Sequence, residues 1–233
     1  MSVSHAPDHP LDQPIWTALT TTQRALAEGD GRARRYPTAM TPFADMPDMS
    51  PESFSALGAL MSPTDIAVLF TPDAVKAPEE FKVMLAETGE QMVGTPLETS
   101  ANGVDIVTLG ADDIPDMIEL TALTKPGPFS KRTHELGTFL GIRVNGQLAA
   151  MIGERMKPAN YTEITAVCVH SSHRGRGYGQ MLLSAISRQI VSRGEIPFLH
   201  VFTSNHSAIA LYRRQGMEIR RQFHVTVLKK AEP

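Results

Sequence analysis

The apolar residues follow a weak pattern over the first hundred positions and a strong pattern after them. Four prolines fall between residues 37 and 51, which argues against regular structure in that stretch. Elsewhere in the first half, apolar spacing and helix-start signals predict five elements. These are helices at 15–28 and 50–61 and strands at 65–70, 81–85 and 90–93.

From Val104 onward the apolar pattern changes repeatedly between the two-residue period of strands and the longer period of helices. Asn145-Gly146 between two apolar runs is a strong signal of a β-hairpin. We expect strands at 104–109, 138–144, 147–155, 161–170 and 196–203, helices at 112–124 and 205–215 and before Gly194, and one or two strands over 217–230. Residues 130–137 are expected to form a second helical turn or a loop.

A polar, glycine-rich turn separates the strand at 161–170 from the helix that ends at Gly194. The turn contains Arg174, Gly175, Arg176, Gly177, Tyr178, Gly179 and Gln180. Its glycines leave the backbone N–H groups uncovered and tolerate a positive φ. Because the first N–H groups of a helix are unpaired and the helix dipole favours negative charge there, the turn and its two arginines predict a phosphate site.

Three explanations compete for this turn. A dinucleotide site needs Gly-x-Gly-x-x-Gly, and the third glycine would fall at position 180, which is Gln180. A P-loop needs a following Gly-Lys-Ser/Thr, which this sequence lacks. A turn without a ligand would leave two arginines and an open helix start without a purpose. Another phosphate-bearing ligand is therefore the favoured interpretation.

Composition narrows the class of protein. Hydrophobic residues make up 42% and charged residues 20% of the chain, as in soluble globular proteins. No apolar run approaches the ~20 residues of a membrane span, and the polar N-terminus carries no signal core, so we expect no secretion. The single cysteine, Cys168, excludes an internal disulfide and fits a reducing cytoplasm. A net charge of −3 argues against a general nucleic-acid binder.

The charge is unevenly distributed along the chain. Residues 1–103 contain 6 Lys/Arg and 14 Asp/Glu, whereas residues 104–233 contain 16 and 11. An acidic first half and a basic second half suggest two modules, with the polyanion-binding task on the second.

The turn, with the strand and helix around it, resembles a known family. Residues 174–179 fit the Arg/Gln-x-x-Gly-x-Gly/Ala motif of the GCN5-related N-acetyltransferase (GNAT) superfamily. Asn205 and the segment AIALYRRQGM at 208–217 resemble the helix-plus-turn signature of the same family. The resemblance covers roughly 104–230 and is closest to the FR47-like branch, near glycine N-acyltransferases. In that branch an N-terminal segment precedes the catalytic fold, sometimes as a degenerate copy of it.

The resemblance implies an α+β fold (mixed α/β), in which helices flank a central, mostly antiparallel mixed sheet. It implies a GNAT domain over 104–233, preceded by a smaller α/β N-terminal domain over 1–100 of unknown role. Acetyl-CoA is implied as the donor and an amine as the acceptor. We expect no metal, no nucleic-acid or membrane partner, and a cytoplasmic monomer or homodimer.

The resemblance also implies where acetyl-CoA binds. Its pyrophosphate needs N–H donors and positive charge, which the turn from Arg174 to Gln180 supplies. The backbone of Val167, Cys168 and Val169 is implied to lie along the pantetheine arm, with an N–H near Val167 as the oxyanion donor. Asn205 is expected to cap its helix close to the pantetheine. The side chain of Cys168 points away from that of its neighbours and is expected in the core.

Acetyl transfer to an amine needs a group that removes a proton and a group that protonates the leaving thiolate. The family resemblance points to Glu163 or His200 as the base, although Glu163 could equally be a solvated strand residue and His200 a core histidine. A water chain is a third candidate. Tyr212 matches the general acid of the family, with a packing role as the alternative.

The resulting hypothesis is an acetyl-CoA-dependent N-acyltransferase that acetylates a primary amine of a small molecule or peptide by direct attack in a ternary complex. The alternative is a GNAT-fold protein that binds CoA as a sensor or structural module without turnover. An RNA-binding Arg-Gly segment at 174–179 is disfavoured because the motif does not repeat and lies at a helix start. The acceptor cannot be read from the sequence.

Overall fold

The computed structural model describes residues 9–95, 97, 99 and 103–231. Its helices are α1 (Pro14–Thr20), α2 (Pro51–Leu60), α3 (Ile114–Thr124), α4 (Tyr178–Ser192) and α5 (His206–Arg214). Its strands are β1 (Glu28–Gly29), β2 (Arg34–Arg35), β3 (Ala44–Asp45), β4 (Ile66–Thr71), β5 (Phe81–Val93), β6 (Val107–Leu109), β7 (Phe139–Val144), β8 (Gln147–Glu154), β9 (Tyr161–Val169), β10 (Ile196–Phe202) and β11 (Glu218–Lys230). Short 3₁₀ turns lie at Arg24–Leu26, Ala111–Asp113, Thr133–Leu136 and Ser171–His173.

The central feature is an eight-stranded sheet in the order β4-β11-β5-β10-β9-β8-β7-β6. Every neighbouring pair is antiparallel except β9 and β10, which are parallel. The expected mixed, mostly antiparallel sheet flanked by helices is therefore confirmed. The Asn145-Gly146 hairpin is also present, because Val144 pairs with Gln147 and both turn residues have positive φ.

Strands from both halves of the sequence share this sheet. β5, from the first half, lies between β10 and β11 and pairs with both of them. β4 then pairs with the other edge of β11. The division into segments 1–100 and 104–233 stays a prediction. The strand order shows that the common neighbour of β10 and β11 is a strand from the first segment.

The structure corrects two expected elements in the first half. The helix expected over 15–28 ends at Thr20, where the hydroxyls of Thr20 and Thr21 bond back to the carbonyls of Trp16 and Thr17 and compete with helix continuation. The two weak strands expected at 81–85 and 90–93 are one continuous strand, β5. β11 pairs with β5 from Phe81 to Val93 and β10 pairs with it from Gly89 to Val93, so backbone pairing holds the strand regardless of side-chain polarity.

Two apolar clusters cover opposite faces of the sheet near its centre. On the face that we call the α4 face, α4 buries four aliphatic side chains against β7, β8, β9 and β10; these are Leu182, Leu183, Ile186 and Ile190. On the face that we call the α1 face, side chains of the N-terminal segment pack on Phe198 of β10 and Phe223 of β11; they include Leu11, Ile15, Leu19 and Tyr36. The candidate site lies where β9 and β10 separate between these two faces.

Candidate active site

The parallel strands β9 and β10 pair over a short length and then diverge. Tyr161, Thr162 and Glu163 pair with Ile196, Pro197 and Phe198, and the described pairing stops there. The remainder of each strand, through Val169 and Phe202, continues without a partner on this side. The divergence leaves the backbone edge of β9 exposed to a gap in the middle of the sheet.

A β-bulge interrupts β9 inside this gap. Thr165 pairs with Gly153 and Cys168 with Met151, so β9 has one residue more than β8 across the same interval. Ala166 adopts a positive φ of 51°, which is uncommon for a residue with a side chain. The extra residue reverses the alternation of the strand: Tyr161 lies on the α1 face, whereas Val167 and Val169 pack on the α4 face. The peptide groups around Ala166 and Val167 are thereby released from the regular ladder.

The glycine-rich turn follows directly from β9 and begins α4. Gly175 and Gly177 have φ values of 77° and 79°, which favour glycine, and Gly177 is the N-cap of α4. The first helical hydrogen bond of this turn runs from Met181 N to the Gly177 carbonyl, at 3.1 Å. The N–H groups before Met181, at 178–180, therefore have no intrahelical partner and point out of the start of the helix.

The two arginines of the turn reinforce this arrangement. Arg174 and Arg176 are both exposed, and no described residue forms an ion pair with either. Tyr178 is buried in the α4-face cluster and anchors the start of the helix. Gly179 faces Val169 and Leu211, so the turn also touches the end of β9 and α5. The structure thus brings together the strand edge and the turn that are neighbours in the sequence.

α5 contributes Tyr212 and Asn205 to the same region. The side chain of Asn205 caps α5 by accepting a hydrogen bond from Ala208 N at 3.2 Å. Tyr212 is 7% exposed and packs in the α4-face cluster. Burial raises the pKa of Tyr212, with a smaller contribution from nearby Cys168, so the phenol remains protonated. Burial also raises the pKa of the Cys168 thiol to about 11.

Glu163 lies on the α1 face and is completely buried. Arg155 donates to both of its carboxylate oxygens, from Nε and Nη2, at 2.8 Å each. Burial alone would raise the pKa of Glu163, but the charge and hydrogen bonds of Arg155 and the hydrogen bond from His200 outweigh it and lower the pKa to about 2. Glu163 is therefore a carboxylate at neutral pH.

His200 lies beside Glu163 and is also buried, with 4% of its side chain exposed. Its Nδ1 is 2.8 Å from Glu163 Oε1, and the rings of Phe70, Phe198 and Phe223 surround the imidazole. Burial lowers the pKa of His200, and the interaction with Glu163 only partly opposes this shift, so the ring is neutral at pH 7. The two base candidates thus form one hydrogen-bonded pair.

Sequence reasoning missed the residues that hold this pair. Arg155 follows the apolar strand β8, and its planar guanidinium also lies over the Phe43 ring, 4.3 Å from the centroid. Gln91, on β5, approaches His200 Nε2 at 3.1 Å. A charged residue is rarely buried without a partner. The position of Arg155 directly after a buried strand was therefore an available signal of a buried ion pair. No comparable signal marks Gln91.

Within the described ranges, no group of three or more His, Cys, Asp or Glu side chains is arranged to hold a metal ion. Among the same residues, no helix combines the length and apolar character needed to traverse a bilayer.

Known proteins are similar to part of this chain or to nearly all of it. The FR47-like protein family matches residues 139–225, which run from β7 into β11. A GNAT-family protein of known structure from Novosphingobium aromaticivorans DSM 12444 is 37% identical, over 97% of this chain and 100% of its own, with a TM-score of 0.89. A GCN5-related N-acetyltransferase from Kribbella flavida, 15% identical, shares the fold over 93% of this chain and 96% of its own, with a TM-score of 0.60.

A curated relative matches a shorter stretch. N-alpha-acetyltransferase RimI of Mycobacterium tuberculosis H37Rv is 33% identical over 95 residues. The match covers 37% of this chain and 57% of RimI, so the chain spans little more than half the length of that relative.

Proposed function

Because this chain belongs to the GNAT family of acetyltransferases, we propose that it transfers an acetyl group from acetyl-CoA to a primary amine of a small molecule or peptide. The observation that carries the proposal is the gap between β9 and β10, whose exposed strand edge leads directly into the glycine-rich turn of α4. The gap joins the two faces of the sheet, so a thioester bound in it meets Tyr212 from one face and the Glu163–His200 pair from the other.

In this proposal the turn binds the pyrophosphate of acetyl-CoA. The unpaired N–H groups at 178–180 donate to phosphate oxygens, with the helix dipole favouring the negative charge. The turn residues that bind are Arg174, Gly175, Arg176, Gly177, Tyr178, Gly179 and Gln180. The exposure of the two arginines supports this role, because their guanidinium groups are available for charge-assisted hydrogen bonds.

The pantetheine arm is proposed to lie along β9. Its amides can pair with the backbone of Val167, Cys168 and Val169 as an added strand would. The bulge supports a second role for this segment, because an N–H released from the ladder at Val167 can donate to the oxyanion of the tetrahedral intermediate. Asn205 fixes the start of α5 beside this path.

Tyr212 is proposed as the general acid. Its burial keeps the phenol protonated and therefore a proton donor. As the carbon–sulfur bond breaks, the phenolic proton passes to the leaving CoA thiolate. Proton removal from the amine is assigned to the Glu163–His200 pair, in which Glu163 is ionised and His200 neutral.

The mechanism proposed is direct attack of the neutral amine on the bound thioester in a ternary complex, without a covalent enzyme intermediate. The acceptor is proposed to approach from the α1 face, on which Glu163 and His200 lie. To identify the acceptor, we propose a panel of amines that contains amino acids, polyamines, aminoglycosides and peptide N-termini. Peptide N-termini are included because the RimI relative is an N-alpha-acetyltransferase. A cytoplasmic location and a monomeric or homodimeric state are part of the same proposal.

The test compares Tyr212→Phe with Tyr161→Phe, a matched loss of one hydroxyl from β9 outside the proposed machinery. We expect Tyr212→Phe to lower kcat by 10²–10⁴-fold with little change in acetyl-CoA affinity, the range typical of a lost general acid. Tyr161→Phe should retain activity. Equal turnover of the two variants across pH would remove Tyr212 as the acid. Acetyl-CoA binding without turnover by the unmodified protein on every amine tested would favour the alternative, a CoA-binding sensor.

A further inference from the structure

A chain of hydrogen-bonded polar side chains crosses the α1 face and contains the proposed base pair. In order, it runs from Asp12 through Arg220, Gln91, His200 and Glu163 to Arg155. Four of its six members come from neighbouring strands: Arg220 from β11, Gln91 from β5, His200 from β10 and Glu163 from β9. Its links span 2.7–3.1 Å, so each is a hydrogen bond of ordinary length.

The chemistry of Arg220 fixes the direction of this chain. A guanidinium only donates, so the Gln91 oxygen must face Arg220 Nη1, at 2.8 Å. The Gln91 amide nitrogen then lies 2.8 Å from the Leu11 carbonyl oxygen and 3.1 Å from His200 Nε2. Both of its N–H groups are thereby used as donors, one to each partner.

The tautomer of His200 follows from this orientation. Because Gln91 donates to Nε2, that nitrogen carries a lone pair and the imidazole proton is on Nδ1. Nδ1–H then donates to Glu163 Oε1, which agrees with the ionised state of that carboxylate. Arg155 completes the arrangement by orienting both oxygens of Glu163. His200 is thus held neutral, with its single basic atom on the side of Gln91.

The His200 side chain also lines a small surface depression, which has room for about one water molecule. Its walls include Asp12, Phe70, Gln91 and Arg221. The charged groups around the imidazole are Glu163 and Arg155 on one side and Arg220, Arg221 and Asp12 on the other.

We propose that Gln91 and Arg220 are positioning residues that make His200 Nε2 the proton-accepting atom of the reaction, an inference that rests on the acetyl transfer proposed above. The N–H bond of the attacking amine breaks, its electron pair stays on nitrogen, and the proton goes to the Nε2 lone pair. The resulting imidazolium is stabilised by the Glu163 carboxylate. Nε2–H then gives the proton to water in the depression, while the Gln91 oxygen stays on Arg220.

The test replaces Gln91 with Glu, which keeps the shape of the side chain but offers Nε2 only acceptor oxygens. Arg220 remains beside the new carboxylate, so the substitution introduces no unpaired negative charge. His200 should become easier to protonate, and the ascending limb of the kcat pH profile should move upward by at least about one pH unit. At pH values below the limb, kcat then falls about tenfold for each pH unit by which the limb moves, because the neutral base becomes scarcer. Gln147→Glu makes the same chemical change at an exposed position on β8 and should leave the limb unmoved.

A second measurement does not depend on turnover. Nitrogen-15 NMR of labelled histidine, with His200 assigned through His200→Gln, should show the Nδ1–H tautomer in the unmodified protein and a raised imidazole pKa in Gln91→Glu. A shifted imidazole pKa with an unmoved kcat limb would overturn the proton-accepting role while leaving acetyl transfer intact. The Nε2–H tautomer in the unmodified protein would overturn the proposal, because Nε2 would then have no lone pair to accept the proton. No turnover on any amine, with the expected NMR result, would refute the proposed function and with it the catalytic role of His200.

Discussion

Removing the guanidinium of Arg155 tests how the protein maintains a buried carboxylate at the centre of its site. Arg155→Met keeps most of the hydrocarbon stem but removes the guanidinium that lies over Phe43, and Glu163, which is completely buried, loses its charged partner. Removing one member of a buried ion pair typically lowers the free energy of unfolding by about 3–5 kcal/mol, because the other charge remains in a poorly solvating interior. That is a large fraction of the ~5–15 kcal/mol by which proteins of this kind are stable.

The chain offers a control with the same bonding geometry at the surface. Arg132 donates from Nε and Nη2 to the two oxygens of Glu135 at 2.7 and 2.8 Å, as Arg155 does to Glu163. This pair is exposed, with 50% of the Arg132 side chain and 38% of the Glu135 side chain accessible. Water and salt screen it, so Arg132→Met should leave stability almost unchanged. The two variants differ mainly in burial.

The assay is urea unfolding followed by the fluorescence of Trp16, the single tryptophan. Arg155→Met should lower the midpoint strongly, and Arg155→Met with Glu163→Gln should recover most of the loss because no buried charge remains. If Arg155→Met does not fold, Arg155→Lys, which keeps the charge but not the two-pronged contact, should give an intermediate loss. Equal effects of Arg155→Met and Arg132→Met would refute the reasoning.

Three other predictions concern the turn, a second buried carboxyl and the shared sheet. Gly177→Ala should weaken acetyl-CoA binding by about tenfold in calorimetry, because a side chain at φ 79° strains the N-cap by ~1–2 kcal/mol. Gly110→Ala should leave the affinity unchanged. Equal affinities of the two variants for acetyl-CoA would contradict the role of the turn. Burial raises the pKa of Asp45 to about 7, so the folded protein retains a proton that the unfolded chain loses near pH 4. The free energy of unfolding should therefore fall with rising pH between about 4 and 7, by up to ~1.4 kcal/mol per pH unit. Asp45→Asn should remove this pH dependence. Identical slopes of unfolding free energy against pH in the two proteins would contradict the raised pKa of Asp45. Residues 104–233 expressed alone should not fold, since β10 and β11 lose β5 between them, and a cooperative unfolding transition of that fragment would show otherwise.

The parts of the fold that are encoded locally could be predicted from the sequence. The Asn145-Gly146 hairpin needs only its two turn residues, and α4 follows from four aliphatic side chains at helical spacing. The glycine-rich turn was likewise found because its residues are contiguous. In each case the signal lies within about fifteen residues, and no distant contact decides the outcome.

The elements that depend on distant partners could not be predicted in the same way. β5 has a polar middle and Gly89, and it becomes one strand because β10 and β11 pair with it from both sides. The environment of His200 depends on Gln91, 109 residues away, and that of Gln91 on Arg220, 129 residues away. Only the register of the sheet brings these side chains together. The sequence could therefore name His200 and Glu163 as candidates, whereas their shared network emerges only in three dimensions.

Acetyl transfer itself is tested most directly by following both products of the proposed reaction. The purified chain is incubated with acetyl-CoA and the panel of amines, free CoA thiol is measured over time, and the amines are examined by mass spectrometry. The account predicts that at least one amine gains about 42 Da, a single acetyl group, in proportion to the CoA released, and that Tyr212→Phe slows both signals together. Tight acetyl-CoA binding with no acetylated product from any amine would contradict it.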